Sequence, residues 1–204
     1  MELSIRNARS EDAGFIARTV LEAVGYAAFD PREGNSPVDL GSGIISLSSA
    51  VDVFTGICGR EDTLYSYRRT RIACVGDVVV GALVSYPGEE NAALRTFTWR
   101  MLNDGYSEGD TESECEAGEY YLDSMAVRPD FRGQVFDCGA SRGKAGHLLM
   151  TDGIRCAQAR GFTLTSLIAD AESPRLQHYY SQLGFRPVRE ILFFGHPYVR
   201  MVRR

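Results

Sequence analysis

YLDSMAVRPDFRGQ (residues 121–134) and, after an interruption, GKAGHLL (143–149) read together as a strand that ends in a glycine-bearing loop and opens a helix. Val127 closes an apolar strand and Pro129 stops it. Gly133, Gly143 and Gly146 then leave the backbone bare just where Leu148 and Leu149 begin an amphipathic helix. A helix start carries unpaired N–H groups and the positive end of the macrodipole, and glycines let a phosphate approach them closely. The junction is therefore a candidate anion cradle. Glycine turns between strand and helix are also ordinary connections, so the rest of the chain has to decide.

Outward from this junction the pattern alternates strands and helices. Leu3 and Ile5 alternate with polar neighbours, and Ser10 stands as an N-cap before Ala13, Ile16, Ala17, Val20 and Leu21 at helical spacing. Residues 30–43 are breaker-rich and read as a loop, with a second helix over roughly 45–58. Two β-branched runs, Leu64–Val75 and Val78–Tyr86, flank Gly76-Asp77, a two-residue hairpin signal. The acidic stretch NDGYSEGDTESECEAGE (103–119) reads as an exposed, mobile loop without nameable chemistry. Tyr120–Val127 form the next strand, the helix after Gly146 runs to about Arg160, and FTLTSLIA (162–169) is a further strand, which makes a βαβ unit. Ser173 and Pro174 open a helix with Leu176, Tyr179, Tyr180 and Leu183 on one stripe, and two strands about 186–194 and 198–203 end the chain. The fold class expected is α/β (α+β): a mixed, mostly antiparallel central sheet with a central parallel βαβ unit and helices on both faces, in a single domain over 1–204.

Composition narrows the function classes. At 204 residues and 44% hydrophobic, one sizeable core is the expectation. Five cysteines with no C-x-x-C pair fit neither a disulfide framework nor a zinc site, and three dispersed histidines do not point to a metal. A net charge of -5 argues against a nucleic-acid surface, and the basic residues from Arg186 to Arg204 read as solvated strand faces. No run approaches membrane-span length, and MELSIRNARSEDAG (1–14) carries acids where a signal peptide would need basic and apolar residues. A soluble cytoplasmic protein with no membrane partner is expected, with a homodimer the usual state for an enzyme of this size.

Three segments resemble the GNAT N-acetyltransferase superfamily, over about residues 64–203. YLDSMAVRPDFRG is similar to that family's fourth strand and following turn. The family's pyrophosphate loop, R/Q-x-x-G-x-G/A, is matched by Arg132, Gly133, Gln134, Gly143, Lys144 and Ala145 if VFDCGASR (135–142) is an insertion. An ungapped match over Ala140, Ser141, Arg142, Gly143, Lys144 and Ala145 keeps the spacing but loses the first basic or amide residue. SPRLQHYYSQLGF (173–185) resembles the closing motif N-x-x-A-x-x-L-Y-x-x-x-G-F, with Tyr180, Gly184 and Phe185 in register and Ser173 where the family often has Asn. A nucleotide P-loop fails here, because Gly139 to Gly143 is one residue short and Ala145 has no hydroxyl for magnesium.

The resemblance implies acetyl-CoA as co-substrate, no metal, and direct transfer to a small-molecule or peptide amine in a ternary complex. It implies that the backbones of Met125, Ala126 and Val127 pair with the pantetheine arm. It further implies that Arg132, Gly133, Arg142, Gly143, Lys144, Ala145, Gly146 and Ser173 face the coenzyme, and that Tyr180 is the general acid. A packed tyrosine on the stripe with Leu176 and Leu183 is the plainer reading of Tyr180. An amine with an ordinary pKa near ~10 must lose a proton, and Asp123 and Glu119 are the candidate bases. Strict alternation gives Asp123 the same face as Tyr121, Met125 and Val127, with Glu119 nearer the strand's start. A non-catalytic acyl-CoA sensor of the same fold is the rival, kept in view by the inserted octapeptide.

Overall fold

In the computed structural model, which describes residues 1–107 and 111–204, the chain runs β1 (Ser4–Asn7), α1 (Ala13–Ala23), β2 (Pro37–Asp39), β3 (Ile44–Ser46), α2 (Leu47–Cys58), β4 (Thr70–Val75), β5 (Val78–Pro87), α3 (Gly88–Leu102), β6 (Glu119–Val127), β7 (Val135–Cys138), β8 (Ser141–Lys144), α4 (Ala145–Ala159), β9 (Leu164–Asp170), α5 (Pro174–Gln182), β10 (Arg186–Phe193) and β11 (His196–Arg203). Seven strands make one sheet in the order β1-β4-β5-β6-β9-β11-β10. Every neighbouring pair is antiparallel except β6 and β9, which are parallel and joined by the crossover through α4. Residues of β4 and β5 alternate between two cores. Ile72, Ala82 and Val84 pack with α1 and α2 on one face, and Ala73, Val80 and Leu83 pack with α4 on the other. Among the described residues no helix is long and apolar enough to cross a membrane.

The structure adds three elements to the sequence reading. Helix α3 has no apolar stripe, because its buried positions are Gly88, Asn91, Arg95, Thr98 and Leu102, which follow helical spacing but are mostly polar. Hydrophobic periodicity cannot see such a helix. The breaker-rich segment at 30–43 contributes β2, which pairs with β3 as a small hairpin. The octapeptide 135–142 supplies most of a second hairpin, β7–β8.

Two further expectations are corrected. The acidic stretch is not simply exposed, since Tyr106, Glu114 and Cys115 are buried; its residues 108–110 lie outside the described residues. Glu112 accepts from the Leu192 N–H at 2.8 Å and from Arg189 at 3.0 Å, which ties the segment to β10. Nor is Arg200 a solvated basic residue, because it is buried in an ion pair with Glu119. A Cβ on Gly88 would lie 2.1 Å from the Glu116 carbonyl oxygen, so this segment and the start of α3 meet backbone to backbone. Gly88→Ala is expected to cost roughly 3 kcal/mol, measured as a lower urea midpoint with an unchanged slope.

The last hairpin turns through Phe194 (φ 48°) and Gly195 (φ 76°), the two positive φ values that a type I′ turn demands. Glycine and asparagine tolerate the first of these, whereas an aromatic side chain there costs about 1–2 kcal/mol. Phe194 stacks against Trp99 and Phe193, each with ring centres 4.7 Å away.

Candidate active site

Strands β6 and β9 pair only from Glu119–Leu164 to Tyr121–Ser166, then splay, although β6 continues to Val127 and β9 to Asp170. The splay leaves two inner strand edges whose peptide groups lack each other as partners. It opens a cavity of about 780 Å³. Arg132, Gly133, Lys144, Ala145 and Gly146 line one end, Met125, Ala126 and Val127 the middle, and Asp123, Asp170, Tyr180 and His196 the other. The structure therefore gathers most of the sequence-derived candidates around one space.

A β-bulge shapes this wall. Leu83 pairs with Met125 and Ser85 with Leu122, so Asp123 and Ser124 together face one residue of β5. The extra residue reverses the alternation. Tyr121 packs in the core of α1 and α2, while Met125 and Val127 pack on the α4 side, where they touch the position a Gly146 side chain would occupy. The single-face reading of Asp123 with Met125 and Val127 is thus corrected, and Asp123 is freed to face the cavity.

The octapeptide stands clear. β7 and β8 pair from Val135–Lys144 to Cys138–Ser141, with Gly139 in a left-handed turn conformation, and the hairpin docks on the chain start through Leu3 N–H to Asp137 O at 2.8 Å. Phe136 is fully buried beneath it, a contribution of about 2 kcal/mol that holds the hairpin in position. Its base brings Arg132 and Gly133 beside Lys144 and Ala145, so the two halves of the interrupted loop meet at the cavity rim. Arg142 and Gly143 lie in β8 and do not line the cavity. Arg142 is solvent-facing near Asp137, and Gly143 packs against His147 and Leu148. At the N-terminus of α4 no side chain caps the helix, leaving its first N–H groups at the rim. Arg132 reaches Glu22 at 2.6 Å and the Val127 carbonyl at 2.8 Å.

Tyr180 is fixed by its own motif. Gly184 (φ 89°) ends α5 in a left-handed conformation, with its N–H donating to Ser181 and that of Phe185 to the Tyr180 carbonyl at 3.1 Å. This six-to-one closure is a Schellman cap, and its usual apolar contact is supplied by the edge of Phe185 against the Tyr180 ring. Tyr180 therefore packs on Phe185 and also lines the cavity. Its hydroxyl has no hydrogen-bond partner among the described residues, and burial pushes its pKa up to about 12, so it stays a proton donor through the neutral range. Ser173 precedes α5 without capping it, donates its N–H to Asp170 and does not line the cavity.

The carboxylates divide sharply. Asp123 faces the cavity and accepts from the hydroxyls of Tyr86 and Ser124, while burial raises its pKa. Glu119, by contrast, is locked with Arg200 in a buried ion pair and also accepts from the Glu116 N–H at 3.0 Å, away from the cavity. The acid missed in the sequence is Glu114. It is 5% exposed, accepts from Tyr121 at 3.1 Å, and lies 3.8 Å from buried Arg95. Burial, then the charge of Asp123, push its pKa up to about 8. Its flanking acids hid it, since nothing in ESECEAGE sets one glutamate apart from another. At the same end His196 contacts Asp170 at 3.1 Å, and Asp170 is held below the usual carboxylate range by the Glu172 N–H and by His196.

No protein-family profile and no curated protein matches the sequence. Solved structures do. A crystal structure of an acetyltransferase aligns with 98% of this chain and 98% of its own, at 26% identity and a TM-score of 0.71. An N-acetyltransferase from Staphylococcus aureus Mu50 aligns over 97% and 98%, at 22% identity and a TM-score of 0.73. The NatC complex bound to Gag peptide and CoA is more distant, at 12% identity and a TM-score of 0.54 over 100% of this chain and 98% of its own.

Proposed function

For a chain with the fold of the GNAT acetyltransferases, we propose the transfer of an acetyl group from acetyl-CoA directly to an amine, both bound at once, in the cytoplasm. The observation that carries this reading is the polarity of one continuous cleft. A glycine-bearing helix start with no side-chain cap among the described residues lies at one end, and a cavity-facing carboxylate and a tyrosine hydroxyl with no hydrogen-bond partner among those residues lie at the other.

The residues present fit the coenzyme. The N–H groups opening α4, with Lys144 and Arg132 beside them, suit a diphosphate. The unpaired inner edge of β6 at Met125–Val127 suits the amide-bearing pantetheine arm, whose groups would complete a strand's hydrogen bonds. When bound, acetyl-CoA supplies the activated acyl group. Asp123 takes the proton of the incoming ammonium, directly or through water, and Tyr180 holds a proton for the departing sulfur. Burial raises the thiol pKa values of Cys138 and Cys156, and none of the five cysteines lines the cavity, which favours direct transfer over an acyl-cysteine route. The sensor alternative rested on the octapeptide, and none of residues 135–142 lines the cavity.

Calorimetric titration with coenzyme A tests the cradle. A side chain added at Gly146 would meet Met125 and Val127 at 3.5 to 3.7 Å and fill the space above the α4 start. Gly146→Leu is therefore expected to weaken coenzyme binding at least about tenfold, a loss of ~1.4 kcal/mol. An unaltered Kd would remove the α4 start from the binding site.

A further inference from the structure

We propose that the acceptor is a primary amine on an aromatic body, of the arylalkylamine class, seated in a second cavity that opens off the first. This rests on the acetyl-transfer reading. The second cavity, of about 470 Å³, shares Val24, His196 and Tyr198 with the cleft, so a molecule seated there reaches the end that holds Asp123 and Tyr180. Its size is that of a small-molecule site.

Chemistry selects the occupant. Phe54, Tyr65, Trp99, Tyr106, Phe193 and Phe194 contribute to its wall, and among the described residues no lysine or arginine lines it. A carboxylate-bearing acceptor such as a free amino acid would find no lysine or arginine to pair with. A polyamine or amino sugar would need several acids, and Asp39 is the one carboxylate in this lining. An aromatic body satisfies the walls, and the electron-rich ring faces favour an attached ammonium. Toward the cleft the field is also negative, because Tyr65 feels both Asp123 and Glu114. Tyr65 is 6% exposed, and its hydroxyl has no hydrogen-bond partner among the described residues.

Phe194 supplies an independent sign. It is half-exposed and sits where the turn wants asparagine or glycine, yet it lines this cavity. A residue kept in a disfavoured backbone conformation beside a pocket points to use rather than to folding. Its replacement therefore separates the two roles: Phe194→Asn relieves the turn while stripping one wall.

The test measures thiol release from acetyl-CoA with 2-phenylethylamine, butylamine, spermidine and phenylalanine. It also follows thermal midpoints with and without 2-phenylethylamine. The expected result is a kcat/KM for 2-phenylethylamine at least about tenfold above each of the other three, together with a midpoint raised by that amine. Phe194→Asn should lower that kcat/KM at least about fivefold through KM, abolish the ligand-induced shift, and leave the ligand-free midpoint equal or higher. Equal or better use of butylamine, spermidine or phenylalanine, with Phe194→Asn indifferent, would overturn the acceptor class and leave acetyl transfer standing. Thiol release with none of the four, despite coenzyme binding, would overturn both.

Discussion

Tyr180→Phe is expected to lower kcat by about 100-fold or more while moving the coenzyme Kd less than about threefold, because a general acid acts on the chemical step. The substitution keeps the ring, and with it the contact to Phe185 and the cap at Gly184, so α5 should end as before. What it deletes is an O–H that makes no hydrogen bond among the described residues and that burial holds protonated to about pH 12. Equilibrium titration and steady-state kinetics on the same preparation distinguish the outcomes. A lost Kd with a retained kcat would mark Tyr180 as a binding contact, and no change in either would return it to a packing role.

The second large effect belongs to Asp123. Asp123→Asn is expected to reduce turnover about 100-fold or more, since the amide cannot accept the ammonium proton. Burial raises the pKa values of both Asp123 and Glu114, and the charge of Asp123 raises Glu114 further. Because burial raises the pKa of Asp123, kcat at saturating amine is expected to climb with pH above the ordinary carboxylate range. Asp123→Asn removes the charge that raises Glu114, so in that variant the Glu114 carboxyl, followed by NMR, should titrate below about pH 8. A Glu114 titration that Asp123→Asn leaves in place would break the link between the two acids.

Stability gives the same pair a readout independent of catalysis. Folded Glu114 holds its proton up to about pH 8, whereas the unfolded residue releases it near the ordinary 4.5. The folded state then binds the extra proton between those values, so its contribution is full below about pH 4.5 and is lost as pH rises through about 8. Glu114→Gln should flatten that decline in urea midpoints.

Much of this arrangement was legible in the sequence where backbone chemistry leaves a mark on residue type. Gly184 and Phe185 announce a helix cap that fixes Tyr180, and Gly146 announces a close approach to the α4 start. Features that depend on partners left no such mark. The buried stripe of α3 carries Asn91, Arg95 and Thr98 because they meet the Tyr86 hydroxyl, Glu114 and the Leu64 N–H, and a polar stripe looks like a solvent face until the fold is known. The bulge at Asp123 is invisible to alternation, which assumes a regular strand. Glu119 and Arg200 are 81 residues apart, so neither reveals that the other neutralises it. The interrupted loop was ambiguous for a related reason, since only the pairing of β7 with β8 says that residues 135–142 leave the line of the chain.

The most direct measurement of the central claim is a crystal structure of the protein with coenzyme A. The account predicts the diphosphate on the N–H groups of residues 145–148 and the pantetheine arm along Met125–Val127 in the splay between β6 and β9. A diphosphate held elsewhere, or a pantetheine arm outside that splay, would contradict it.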